Sequence, residues 1–255
     1  MSRDTTAADG GCAIAVMAKA PRPGAVKTRL VPPLTPDAAS ALSASFLRDI
    51  TENIVLAAQE APIHGYIAYA PAGHERAFDG MLAAGTRLVL ADGAPITEPD
   101  VRGFGCALLH AAQALFERGH ESVCLLNSDS PNLPTALLAR AAHILAEPGD
   151  QVVLGPAEDG GYYVIGMKAP HVHLFQNVDW STDRVATQTR ERARALGLAV
   201  HELDTWYDVD NATALQRLCR ELGSEVEVKG LRPYRASETA RSIERLLIHA
   251  RLNAA

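Results

Sequence analysis

The sequence predicts an α/β protein: a three-layer α/β/α arrangement around a mostly parallel central sheet. Three observations carry that prediction. Short apolar runs alternate with longer helical patterns along most of the chain, the mark of βαβ units. Several of those runs are continuously apolar, as strands buried on both faces are. The chain has 255 residues and 47% hydrophobic side chains, and no Ser/Gly-rich linker divides it, so one large domain suits it.

Taken in order, residues 1–11 ("MSRDTTAADGG") are polar and read as a frayed tail without the apolar core of a signal peptide. "CAIAVMA" (12–18) predicts a buried strand. Thr35 and Pro36 then suit the N-cap and first position of a long helix over 36–60. "HGYIAYA" (64–70) predicts a strand, 74–84 a helix, and "RLVLA" (87–91) a short strand. A helix over 105–119 should end at Gly119. "SVCLL" (122–126) is a strand leading into "NSDSPNLP", followed by a helix over 135–147. "QVVLGPA" (151–157) and "GYYVIGM" (161–167) are strands around the acidic turn. Ser181 or Thr182 should cap a helix running to 196, and "AVHEL" (199–203) is the last clear strand. "DVDNATALQRLCREL" (208–222) is a loop entering a helix, and a late helix spans 237–252. The expected division is a tail (1–11), an α/β domain (12–222) and a helical C-terminal extension (223–255).

In parallel sheets ligands bind beyond the carboxyl ends of strands. Three such ends carry unusual residues. The first is "KAPRPGAVKTR", where Lys19, Arg22, Lys27 and Arg29 project from a loop bent by Pro21, Pro23 and Gly24. No acid lies between Gly10 and Pro36, although the chain carries a net charge of −6. A phosphate-rich ligand needs such a loop; a solvated basic turn is the plainer alternative. "GAVKT" is not a P-loop, because Val26 stands where a motif glycine belongs. The second end places Asp129 just past a strand, where a carboxylate facing phosphates suits Mg²⁺ and where an Asx turn would serve equally. The third places Asp208, Asp210 and Asn211 before a helix; capping needs one of them, and the pair tilts towards a metal. Between these ends, Glu158 and Asp159 precede Gly160 and Gly161, a turn that also lines a pocket.

Other features are plainer. "HVH" (171–173) lacks a second cluster at zinc spacing, Trp180 suits core packing better than a base or sugar contact, and "RERAR" (190–194) is a solvated face. No G-x-S-x-G elbow occurs, and Cys124 lies inside a strand. The four cysteines are scattered, as reduced thiols of a cytoplasmic protein would be. The acidic balance argues against a nucleic-acid partner. No apolar run reaches the roughly 18 residues of a membrane span. Nothing in the sequence sets the oligomeric state.

"MAKAPRPGAVKTRL", "NSDSPNLP", "GPAEDGGYYVIG", "VDWST" and "DVDNATAL" fall in an order that resembles one bacterial family. That family is similar to the GT-A-type nucleotide-diphospho-sugar transferases and related to small nucleotidylyltransferases. Some of its members are described as glycosyltransferases or as transferases encoded beside radical-SAM proteins. The resemblance covers 13–222. Where the family often has an acidic, Gly-containing turn with an arginine, this chain reads "DVRGFGCALLHA".

The resemblance implies that Lys19, Arg22, Gly24, Lys27 and Arg29 cradle the phosphates of a nucleotide donor. It implies that Asp129 and Asp210 hold Mg²⁺ or Mn²⁺. The residues expected to carry the chemistry are Lys27, Arg29, Asp129 and Asp159, with Glu158, Asp159, Gly160 and Gly161 facing the acceptor. The reaction expected is nucleotidylyl transfer from an NTP to a small phosphorylated or carboxylate acceptor, releasing pyrophosphate; four cations suit a triphosphate. Glycosyl transfer from an NDP-sugar is the alternative, with Asp159 or Glu158 as base. A nucleotide-binding module without turnover is the non-enzymatic rival.

Overall fold

β1 (Cys12–Lys19) is the spine of the sheet, and its side chains divide the molecule in two. Cys12, Ile14, Val16 and Ala18 enter one core, while Ala13, Ala15 and Met17 enter the other. This is the period-2 consequence of an extended backbone with both faces covered. The computed structural model describes residues 10–94, 96–222, 224 and 227–252. Of the expected frayed tail, residues 1–9 lie outside that range.

β1 pairs in parallel with β2 (Ile63–Ala70) on one side and β4 (Ser122–Leu126) on the other. β3 (Arg87–Leu90) extends the sheet beyond β2. On the other wing β6 (Tyr162–Met167) runs antiparallel to both β4 and β5 (Gln151–Pro156), and β7 (Ala199–Glu202) lies parallel to β5. The order is β3-β2-β1-β4-β6-β5-β7. One face is covered by α1 (Pro36–Ala57), α3 (Thr135–Ala146), α5 (Ala212–Leu222) and α6 (Ser237–Leu252). The other is covered by α2 (Phe104–Phe116) and α4 (Val185–Ala195). The predicted three layers and mostly parallel sheet are both present.

Local sequence explains most boundaries. Thr35 Oγ1 accepts from the Ala38 amide at 3.2 Å with Pro36 in the first helical position, a cap that contributes about 1 kcal/mol. Gly119, at φ 90°, closes the chain after α2. Two expectations are corrected. Residues 74–84 hold only a short 3-10 turn, Glu75–Phe78, because Gly73, Gly80 and Gly85 all take positive φ and interrupt the coil. The helix expected from Ser181 or Thr182 begins at Val185. Ser181 stands at φ 65° in a turn, and Thr182 Oγ1 accepts from the Arg184 amide at 3.3 Å.

α6 packs along α1 and is pinned by one buried carboxylate. Asp49 of α1 accepts from the amides of Glu238 (3.0 Å) and Thr239 (2.6 Å) in the first turn of α6. Burial raises its pKa against the pull of those amides. No helix among the described residues is long and apolar enough to cross a membrane. The four cysteines are free, with Cys12 and Cys124 buried against each other.

The sheet order reverses at β1, whose neighbours are β2 and β4. This is a topological switch point, and the crevice beyond the carboxyl ends of β1 and β4 is where such sheets bind ligands.

Candidate functional site

The loop after β1 begins with a tight turn. The Ala25 amide donates to Arg22 O at 3.0 Å, with Pro23 and Gly24 in the centre and Gly24 at φ 75°. Pro followed by a positive-φ glycine is the requirement of a type II turn. Nothing lies near the space a Gly24 side chain would fill, so this glycine is needed for conformation and not for close approach. Lys27 follows in the left-handed region, at φ 50° and ψ 35°. A non-glycine residue held there costs about 1–3 kcal/mol and persists only where its surroundings fix it.

Lys27 is fixed by what its side chain meets. It turns inward and is only 5% exposed. Its Nζ makes a short ion pair with Asp129, lies 3.7 Å from Asp210 Oδ1, donates to Val209 O at 2.9 Å and sits 4.8 Å from the Phe46 ring centroid. The Val209 amide in turn donates to Asp129 O at 2.9 Å. The loops after β1 and β4 and the segment before α5 are thereby clasped together at the switch point. At an effective dielectric near 20, a charge pair about 4 Å apart contributes about 4 kcal/mol before desolvation. Arg29 lies outside this clasp and reaches Asp210 Oδ2 at 3.5 Å while remaining largely exposed.

Beneath the clasp is a third acid. Asp208 accepts from Asn127 Nδ2 at 2.6 Å and lies 2.9 Å from Ser130 Oγ, which is also 2.9 Å from Tyr207 O. Burial, and then the charges of Asp129, Asp159 and Asp210, push the Asp208 carboxyl up to about 7. Burial and Asp129 also raise Asp210, against the pull of Lys27 and Arg29. Four acids thus act on one another here, with Lys27 and Arg29 paired to two of them, Asp129 and Asp210.

The expected acceptor residues lie in the turn between β5 and β6. Asp159 Oδ1 accepts from the Gly161 amide at 2.9 Å. Gly160 stands at φ 90° with its Cα against the Asp183 backbone, so a side chain there would collide, and its carbonyl accepts from the Ala186 amide. Glu158 turns away to Arg217 (2.8 Å) and Lys229 (3.0 Å). The structure therefore gathers Lys27, Arg29, Asp129 and Asp210 in direct contact, with Asp159 close enough to act on Asp208. It holds Glu158 in a separate ion set. Lys19 and Arg22 are exposed and make no side-chain hydrogen bond or ion pair among the described residues.

Asn211 resolves the capping question at the third strand end. Its Oδ1 accepts from the Ala214 amide at 2.9 Å and caps α5, which leaves Asp208 and Asp210 for the site. Trp180 packs against Gly105, where a Cβ would lie 2.9 Å from the indole, as core packing requires. Sequence reasoning did not single out Asn127, Ser130 as a ligand of Asp208, or the Asn132–Tyr207–Glu221 network behind them. The doubled polar residues of "NSDSPN" were the available signal.

Asp129 and Asp210 both lie against the Lys27 ammonium, which fills the space between them, so these two carboxylates are the candidates for holding a cation. Mg²⁺ is commonly held by one or two carboxylates and completes its shell with substrate phosphates and water. Among the described residues no group of three or more His, Cys, Asp or Glu is arranged to hold a metal ion.

The known proteins this chain is similar to agree with the fold. The structure of a "putative nucleotide-diphospho-sugar transferase" from Desulfovibrio desulfuricans superposes with a TM-score of 0.76 at 28% identity, covering 92% of this chain and 94% of that one. CMP:2-keto-3-deoxy-manno-octonic acid synthetase complexed with CTP superposes at TM-score 0.52 and 12% identity, covering 85% and 100%. A nucleotidyl transferase from Methanothermobacter superposes at 0.51 and 15%, covering 82% and 95%. The fold is that of the nucleotide-diphospho-sugar transferases. No curated protein sequence matches the chain. A family model described as "Uncharacterized protein conserved in bacteria (DUF2064)" matches residues 54–182, half of the chain, and the chain belongs to that family.

Proposed function

We propose that this member of the DUF2064 family is a divalent-cation-dependent nucleotidyltransferase. It joins a nucleoside monophosphate unit from an NTP to a small phosphorylated or carboxylate acceptor and releases pyrophosphate. One observation carries the reading: Asp129, Asp210, Lys27 and Arg29 are interlocked at the switch point, with exposed Lys19 and Arg22 on the same loop. Asp129 and Asp210 would hold Mg²⁺ or Mn²⁺, which supplies charge neutralisation on the phosphates. Arg29, Arg22 and Lys19 are placed to take the β- and γ-phosphates, with Arg29 offering a bidentate fork. Lys27 holds both carboxylates in position and adds a buried positive charge beside the departing group. An acceptor oxygen forms a bond to the α-phosphorus; the bond from that phosphorus to the bridging oxygen breaks, and pyrophosphate leaves with its electron pair. The protein's part is positioning and fixed electrostatics. Asp159 would serve the acceptor side from the β5–β6 turn, whose Gly160 makes room for the Asp183 backbone and not for a ligand.

Glycosyl transfer from an NDP-sugar is the second reading, favoured by the description given to the Desulfovibrio structure. Asp159 is then the base, since Glu158 is committed to Arg217 and Lys229. A nucleotide-binding module without turnover has little use for paired carboxylates. Pyrophosphate release, measured with each NTP and a panel of phosphorylated and carboxylate acceptors, with and without Mg²⁺, tests the proposal. Metal-dependent release that disappears in Asp129→Asn is the expected result. Release of NDP from an NDP-sugar, with no pyrophosphate from any NTP, overturns it in favour of the second reading.

A further inference from the structure

Lys27 stands where a cation held by both carboxylates would have to stand. Its Nζ makes a short ion pair with Asp129 and lies 3.7 Å from Asp210 Oδ1. A divalent cation bridging the two acids needs oxygen contacts of about 2.0–2.1 Å, and so needs the volume that the ammonium fills. Two positive charges repel too strongly to share a space that small, so the lysine and the cation exclude each other. Arg29 lies 3.5 Å from Asp210 Oδ2, so each of the two carboxylates already has a cation beside it. Two carboxylates are also few ligands for a free ion, because no third His, Cys, Asp or Glu among the described residues completes a metal-holding group with them.

Displacing the ammonium has a cost that only new acceptors offset. Nζ donates to Asp129 and to Val209 O at 2.9 Å, and it sits 4.8 Å from the Phe46 ring centroid. A lysine lifted from that place loses both acceptors. Phosphate oxygens can replace them, and exposed Lys19 and Arg22 would attract phosphates to the same loop. The backbone favours the move. Lys27 is held at φ 50° and ψ 35°, a conformation that persists only where its surroundings fix it. Those surroundings are the side-chain contacts just named, so breaking them lets the strain relax.

We propose that Lys27 guards the cation position by exchange: its ammonium holds Asp129 and Asp210 until a divalent cation arrives with a polyphosphate, and then passes from the carboxylates to the phosphate oxygens. The inference rests on the reading of these carboxylates as a cation site, and it adds an order of events to that reading. A cation arriving alone is disfavoured, because it offers the displaced ammonium no acceptor. A cation arriving on a polyphosphate is favoured, because it does.

Isothermal titration of the full chain and of Lys27→Met tests it, with MnCl₂ alone and with the equimolar complex of Mn²⁺ and inorganic triphosphate. Methionine keeps a flexible apolar stem at this position and removes the charge. MnCl₂ should bind Lys27→Met about tenfold more tightly than the parent, and the triphosphate complex about tenfold more weakly. A lysine that only holds the site in shape would weaken both. MnCl₂ binding that is equal or weaker in Lys27→Met overturns the proposal and leaves Asp129 and Asp210 as a cation site. Absence of Mn²⁺ binding to either protein, alone or with triphosphate, overturns that reading as well. A second measurement uses the unaltered chain and needs no variant to fold. Acetic anhydride labelling, read by mass spectrometry with exposed Lys19 as the reference, should find Lys27 protected without Mn²⁺. Excess MnCl₂ should raise its labelling several-fold relative to Lys19, and added triphosphate should restore protection. Labelling of Lys27 unchanged by Mn²⁺ overturns the exchange.

Discussion

Two ion sets lie beyond the ends of the strands, and they are built from the same chemistry in different surroundings. The inner set joins Lys27 to Asp129 and Asp210, with the lysine 5% exposed. The outer set joins Glu158 to Arg217 and Lys229, with side chains 29–48% exposed. The carboxylates of the two sets are similarly exposed, at 30–39%, and the difference lies in the cation: a buried lysine shared by two acids cannot be removed without leaving like charges together, whereas exposed cations exchange their partner for water at little cost. The inner set therefore organises three loops and the outer set trims a surface.

Breaking the inner set should give a larger effect than breaking the outer one. Lys27→Ala should lower stability by about 1–3 kcal/mol, because it leaves the partly exposed carboxylates of Asp129 and Asp210 side by side without their shared partner. Denaturant unfolding measures this, and Lys27→Ala/Asp129→Asn should recover part of the loss. A Lys27→Ala protein as stable as the parent would mean that the clasp contributes nothing. Next comes Gly160→Ala. The new methyl group meets the Asp183 backbone, and φ 90° is unfavourable for alanine, so about 2–3 kcal/mol should be lost. Gly24→Ala, with open space around it, should cost only the conformational part, about 1 kcal/mol. Equal losses at the two glycines would contradict the close approach at Gly160.

The smallest effect belongs to the outer set. Glu158→Gln should cost no more than about 1 kcal/mol and less as salt rises. Its pKa is lowered: burial acts upward, but hydrogen bonds and charge from Lys229 and Arg217 outweigh it. A carboxylate more acidic in the folded state contributes stability above its unfolded pKa and loses it as pH falls through the folded value. The parent and Glu158→Gln should therefore differ at neutral pH and converge in acid. Divergence on acidification would reverse that sign.

The contrast also shows what a sequence makes legible. Continuous apolar runs located every strand, and Thr35–Pro36 marked the start of α1. The helix expected at 74–84 was misread because apolar spacing there competes with three positive-φ glycines. "KAPRPGAVKTR" disclosed a basic loop but not the inward turn of Lys27, since a left-handed lysine leaves no pattern in sequence. The Glu158–Arg217 pair joins residues far apart in the chain, and only the packing of α5 beside the β5–β6 turn brings them together. Asp210 was legible as a candidate because Asn211 could take over the capping role, which it does. The raised pKa of Asp208 was not, because it arises first from burial and then from acids, Asp129 and Asp159 among them, that are distant in the chain.

The central claim is that the Lys27 clasp is a cation and nucleotide site. A thermal-shift panel of NTPs and NDP-sugars, with and without Mg²⁺, on the parent and on Asp210→Asn tests it most directly. A ligand at 100 times its Kd adds about 2.7 kcal/mol, roughly 5–10 °C for a chain of this size. The account predicts such a shift with an NTP in the presence of Mg²⁺, and its loss in Asp210→Asn. Shifts independent of Mg²⁺, or equal in parent and variant, would contradict it.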